Sequence, residues 1–162
     1  MNKPVAYLET SFVSYLTGRV SEDEKVARDQ SATARWWKEE GGKWRCVVSQ
    51  AVFDEAGDGD SDAVARRMEF LAGIESLEST EEAERLMKTL LIAHALPEKA
   101  RTDALHVALA TVHGADLLLT WNCRHIANPA MLPKIIMTIA NAGYVCPTIA
   151  TPGQMLEDRA HV

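Results

Sequence analysis

The sequence predicts an α/β fold of three layers, α/β/α, around a central parallel sheet of four to five strands. Three observations predict it. Short apolar runs of strand length alternate along the chain with longer stretches of helical periodicity. One run, Leu117-Leu118-Leu119, is apolar at consecutive positions, the pattern of a strand covered on both faces. The segment before it, Ala100 to Val112, carries Ala, Leu and Val around most of its circumference and reads as a helix buried on several sides.

Each element has a local reason. Val5 to Leu8 is a short apolar strand broken by Glu9. Thr10 and Ser11 are good N-caps for a helix carrying Phe12, Val13, Tyr15 and Leu16, which Gly18 ends. A second helix, Glu22 to Glu40, carries Trp36 and Trp37 as packing residues and stops at Gly41-Gly42. Arg45 to Val48 is the next strand, and Ser49 caps a short helix, SQAVFDEA, with Val52 and Phe53 inward. A polar loop, GDGDSD, leads to a helix from about Ala63 to Leu71, and Ile74 to Leu77 is a candidate third strand. Thr80 opens a helix whose first-turn acids suit the macrodipole and which runs to about Ala93. After the Ala100 to Val112 helix, Gly114 supplies the left-handed turn that precedes the leucine strand. Met131 to Ala142 is a further helix, Tyr144 to Ile149 the last strand, and the tail from Thr151 forms at most one weak turn. Residues 1–150 are expected to form a single domain and 151–162 a short C-terminal tail.

Composition narrows the function classes. A chain of 162 residues, 47% apolar and 25% charged, has the make-up of one globular domain with a real core. Seventeen basic against 23 acidic residues give a net charge of -6, which argues against a generic phosphate-coating surface and leaves room for nucleic acid held locally through metal ions. Cys46, Cys123 and Cys146 are odd in number and widely separated, so no disulfide framework or structural zinc site is expected. With no signal-peptide pattern and no apolar run of bilayer length, a reducing, cytoplasmic setting without membrane attachment is the expectation.

The chemistry-bearing residues fall at strand ends. Glu9 follows the first strand, and Asn122 lies just past the leucine strand. Glu55 sits on the helix after the second strand, and Asp103 near the front of the buried helix. In a parallel sheet these groups converge on one edge, the edge where ligands collect. Three carboxylates that close repel one another and stay partly protonated unless a cation joins them. Hard oxygen ligands suit Mg²⁺ or Mn²⁺, and the chemistry such an ion supports there is phosphodiester hydrolysis. The expected arrangement has Glu9, Asp103 and Asn122 around one cation, with Glu55 and Asp103 contributing to a second.

At these residues the sequence resembles the PIN-domain family of metal-dependent ribonucleases, and most closely its VapC-like toxins. The resemblance spans nearly the whole chain. It is carried by AYLETSFVSYL, with Glu9 at the family's aspartate; by Glu55 in VSQAVFDEA; by Asp103 in TDALHVALA; and by LLLTWN, with Thr120 matching a Thr/Ser and Asn122 standing where many members have a fourth acid. It implies a PIN-like fold, metal-dependent endonucleolytic cleavage of RNA, a small antitoxin partner and a homodimer. Glu9 is one methylene longer than aspartate, about 1.5 Å, a reach that a backbone shift or a different metal position absorbs; Asn122 is neutral, which implies weaker binding of a second metal; an attenuated enzyme is the expectation from the two together. Thr120 and Ser11 are expected to support the acids from behind.

Rival assignments are bland. His106, three residues beyond Asp103, reads as a core histidine hydrogen-bonded to backbone. Asp54 competes with Glu55, and Asn122 with a plain turn role. Arg124 and His125 are lesser candidates for contact with phosphate. Asp58, Asp60, Asp62 and Glu69 have calcium-loop spacing, but Ala63 stands where such a loop needs glycine, so helix capping by Asp60 or Ser61 is the better reading. A nucleotide-binding domain would need a GxGxxG or GxxxxGK[ST] turn, which the sequence lacks. A PIN-like module that binds RNA or protein with little catalysis is the remaining alternative.

Overall fold

The computed structural model describes residues 2–160. Its five strands are β1 (Val5–Leu8), β2 (Arg45–Ser49), β3 (Glu75–Leu77), β4 (Leu117–Leu119) and β5 (Thr148–Ala150), and the helices run α1 (Thr10–Thr17), α2 (Glu24–Glu39), α3 (Gln50–Ala56), α4 (Ser61–Leu71), α5 (Glu81–Ile92), α6 (Arg101–Val112), α7 (Leu132–Asn141) and α8 (Pro152–Ala160). All pairings are parallel, in the order β3-β2-β1-β4-β5. The chain therefore builds outward from β1 through β2 to β3, then returns to the other side of β1 for β4 and β5. That reversal opens a crevice at the carboxyl ends of β1 and β4, the position at which such sheets bind ligands.

The helices flank the sheet in two packed groups. One joins α1, α2, α4 and α8, the other α5, α6 and α7, while α3 touches α1, α4 and α6. The leucine strand is buried on both faces, as are Ala6, Tyr7 and Leu8 beside it. Along α6 Ala104, His106, Val107, Ala108, Leu109, Ala110 and Thr111 are all buried, so the all-round apolar helix lies inside the protein. Gly114 takes φ +73, the left-handed stop that lets α6 turn directly into β4. Trp36 is wholly buried and packs edge-on against Phe12, while Trp37 meets Phe12 and Phe70. The cysteines are free thiols. Among the described residues no helix is long and apolar enough to cross a membrane.

Two elements differ from expectation. The last strand begins at Thr148 rather than Tyr144: Tyr144 N–H still bonds back to Ile139 O at the end of α7, and Pro147 has no N–H to offer the ladder. The segment after Thr151 is a helix rather than a weak turn. Thr151 Oγ1 accepts from Gln154 N–H at 3.0 Å to start α8, which packs on α2. Asp60 caps α4 by accepting from Ala63 N–H at 3.0 Å, and Asp62 pairs with Arg19 and Arg66, so the acidic loop is consumed by structure.

Leu118 sits at the centre of this sheet with no exposure. Leu118→Ala should cost about 2–5 kcal/mol of unfolding free energy in urea; a loss below about 1 kcal/mol would mean the sheet centre collapses around the gap.

Candidate active site

Strand register assembles the crevice. Leu8 of β1 stands beside Leu119 of β4, and Glu9 N–H extends the ladder to Leu119 O at 3.0 Å. The next residues, Glu9 and Thr120, are thereby brought side by side. Thr120 Oγ1 donates to Glu9 Oε1 at 2.6 Å, and Ser11 Oγ donates to the same oxygen. The two hydroxyls are held in turn: Ser11 Oγ accepts from Trp121 N–H at 2.7 Å, and Thr120 Oγ1 from Asn122 N–H at 2.9 Å. Glu9 is 4% exposed, yet among the described residues its Oε2 accepts no hydrogen bond. The expected capping by Thr10 and Ser11 is absent because Glu9 itself occupies the N-cap of α1, and the hydroxyls serve carboxylates instead.

Glu55 reaches the same place from α3. Its Oε1 accepts from Thr10 Oγ1 at 2.6 Å and lies 2.5 Å from His106 Nε2. Since an ionised carboxylate can only accept, the imidazole Nε2 carries the proton in this contact. On the other side of the ring, Nδ1 lies 2.7 Å from the Tyr7 hydroxyl, which lies 2.7 Å from Ser49 Oγ. Ser49 therefore caps α3 by position but spends its hydroxyl on Tyr7. His106 is completely buried, as expected, but its partners are side chains and not backbone; a histidine bonded to backbone is corrected to a histidine bonded to Tyr7 and Glu55.

Electrostatics follow from that packing. Burial pushes the His106 imidazole down, but the hydrogen bond to Glu55 and the negative charges of Glu9, Glu55 and Asp103 outweigh it and hold the ring above its ordinary value. Burial likewise works against the charged form of Glu55; the His106 bond, its charge and the Thr10 hydroxyl win, and Glu55 lies below its ordinary value. Burial drives the Tyr7 phenol far upward, so it stays protonated. Glu9, Glu55 and His106 each present one ligand atom, all within 4.8 Å of one another.

Asp103 and Asn122 meet at a second histidine. Asp103 Oδ2 lies 2.9 Å from His125 Nδ1, and Asn122 Oδ1 accepts from His125 N–H at 3.0 Å. Asn122 thus performs the local turn role with one of its carbonyl lone pairs. His125 Nε2 has no hydrogen-bond partner among the described residues. Asp54 bonds Gln50 Nε2 at 2.9 Å on the exposed side of α3, and Asp116 accepts from Val5 N–H at 2.8 Å at the opposite end of the sheet. Beside Glu55 a cleft of about 390 Å³ opens, lined by Gln50, Asp54, Asp58, Thr102 and Leu105 among others.

His106 and Tyr7 were the residues that sequence reasoning undervalued. The available signals were a histidine on an otherwise apolar helix and a hydroxyl in an apolar strand, two polar groups that a core tolerates only as partners.

No protein-family model and no curated protein sequence matches the chain. Its fold is that of several solved structures. VapBC2 from Rickettsia felis, bound to a DNA fragment from its promoter, superposes with a TM-score of 0.60 at 13% identity over 91% of this chain and 98% of that one. Mycobacterium tuberculosis VapC20, a sarcin-ricin loop cleaving toxin, gives 0.58 at 17% identity over 76% and 95%. A toxin–antitoxin complex from Klebsiella pneumoniae gives 0.56 at 16% identity over 91% and 97%. These likenesses establish the fold alone, a parallel sheet flanked by helices in the α/β/α arrangement that the sequence predicts.

The Glu55–His106 pair sets a pH window. The lowered Glu55 contributes stability above its ordinary value of 4.5 and loses it as pH falls through the lowered one. The raised His106 contributes below its ordinary value of 6.5 and loses it as pH rises through the raised one. The difference in unfolding free energy between wild type and Glu55→Gln should therefore be largest between pH 4.5 and 6.5 and shrink on either side. A difference that grows above neutral pH would contradict the pairing.

Proposed function

We propose that this chain is a divalent-cation-dependent endoribonuclease and the toxin of a toxin–antitoxin pair. The observation that carries the reading is the meeting of Glu9 and Glu55 at a sheet switch point, with Asp103 close enough to act electrostatically on the same imidazole. A rim so acidic, on a chain of net charge -6, admits an RNA phosphate only if a cation lies between them. The donor set fits Mg²⁺ or Mn²⁺: Glu9 is buried with one carboxylate oxygen uncommitted, and Glu55 stands beside it. Asp103 and Asn122 meet at His125, and Asn122 Oδ1 keeps a second lone pair for coordination.

A cation held there supplies charge neutralisation at the phosphoryl group and lowers the pKa of a nearby water. The chain's own groups do the rest. Ser11 and Thr120 fix the Glu9 carboxylate, while Thr10 and His106 fix that of Glu55. Asp103 and Asn122 together orient His125, leaving Nε2 available to meet the phosphate or the departing oxygen. Support for the biological role comes from the structural neighbours, which include a sarcin-ricin loop cleaving toxin and a toxin–antitoxin complex. We accordingly propose a small antitoxin as protein partner and a homodimer as assembly.

The competing reading, a PIN-like module that binds without cutting, draws on the diversion of Asp103 to His125. The absence of Mn²⁺ binding in a calorimetric titration to about 1 mM would favour it.

Purified wild type should cleave a total RNA pool with Mn²⁺ present, and Asp103→Ala should abolish cleavage while circular dichroism shows an unchanged fold. Equal cleavage by both would assign the activity to another site or another protein. Asn122→Asp should tighten Mn²⁺ binding; unchanged affinity would remove Asn122 from the ligands.

A further inference from the structure

We infer that His106 is itself a ligand of the cation, so that the centre is a carboxylate–imidazole site of Glu9, Glu55 and His106 that prefers transition metals to Mg²⁺. The inference deepens the nuclease reading above and rests on that reading's claim that a divalent ion binds in this crevice.

Three observations carry it. First, the ligand atoms of Glu9, Glu55 and His106 are the group of metal-ligating donors that the described residues bring within 4.8 Å, and Asp103 is not among them. Its carboxylate is engaged by His125 at 2.9 Å. Second, the imidazole is aimed. It is completely buried, Nε2 faces Glu55 Oε1, and its edge is fixed by a side chain from β1. Third, the outer support that a metal-bound histidine needs is already built. Such a ring donates its far N–H to an oxygen that fixes tautomer and orientation. Tyr7 Oη lies 2.7 Å from Nδ1 and Ser49 Oγ lies 2.7 Å beyond it.

The proton count closes on this relay. Coordination through Nε2 needs its lone pair, so the neutral ring must carry its proton on Nδ1. Tyr7 Oη then accepts from Nδ1–H and donates its own hydrogen to Ser49 Oγ, and each group stays satisfied. Glu55, losing the imidazole donor, keeps the Thr10 hydroxyl on Oε1 and gains the cation. Ion binding thus exchanges one partner of Glu55 and His106 for another with no polar atom left bare. The chemistry of selection follows from the nitrogen: carboxylate and water suit Mg²⁺, whereas an imidazole adds affinity for the later divalent metals.

Pulsed electron paramagnetic resonance of the full chain loaded with Mn²⁺ tests the ligand directly. Nitrogen modulation from a coordinated imidazole is expected in the wild type, with the pattern changing when histidine is labelled with ¹⁵N. His125→Gln should leave the modulation in place and His106→Gln should remove it. Because His106 lies in the core, Tyr7→Phe gives a second route: the ring still fills the space, but Mn²⁺ should bind about 10- to 100-fold more weakly. Competition should show Mn²⁺ held more tightly than Mg²⁺. Bound Mn²⁺ without nitrogen modulation, or modulation lost in His125→Gln and kept in His106→Gln, overturns this inference and leaves the nuclease reading standing. No Mn²⁺ binding at all overturns both.

Discussion

Negative charge gathered at the carboxyl edge of a buried sheet is the constraint around which the rest of the molecule is arranged. The buried Glu9 meets the half-buried Glu55 at the rim of an open cleft, and Asp103 adds a third carboxylate close by. Like charges in such a place drive one another toward the protonated state. The protein offsets this by setting the His106 imidazole among them and by directing the hydroxyls of Thr10, Ser11 and Thr120 onto the carboxylate oxygens. Oε1 of Glu9 and Oε1 of Glu55 are each held by two polar side chains, a network that restrains both carboxylates.

The fold supplies what the network needs at little cost in specialised structure. Parallel pairing of β1 and β4 in one register makes Glu9 and Thr120 neighbours, although they stand 111 positions apart in sequence. The short α3 helix swings Glu55 back over the end of β2, and the buried α6 helix carries both Asp103 and His106 on nearly the same face. The site depends on strand ends held by a core in which Tyr7, Leu8, Leu118 and Leu119 have no exposure.

Much of this was legible in the chain. Strand and helix order, the leucine strand, the left-handed Gly114 and the meeting of Glu9 with Glu55 follow from local pattern and the geometry of parallel sheets. Three things were hidden, each for a physical reason. His106 looks like a core residue because its apolar neighbours on α6 dominate the local pattern, while its partners come from β1 and α3. The Asp103–His125 contact depends on how the loop after β4 folds back, a path set by the Asn122 side chain closing on the His125 backbone. Helix α8 was obscured by a proline and a glycine at its start, where Pro152 is at home in a first turn and Thr151 provides the cap.

The molecule thus presents an acidic crevice in which carboxylates from three separate segments act on one imidazole, and we propose that a divalent cation binds there. Diffraction from crystals soaked in Mn²⁺, with data collected for anomalous scattering, tests that claim most directly. A single strong anomalous peak between Glu9 and Glu55, with His106 against it, is the result this account predicts. A peak at the Asp58 to Asp62 loop, or none at the carboxyl edge of β1 and β4, would contradict it.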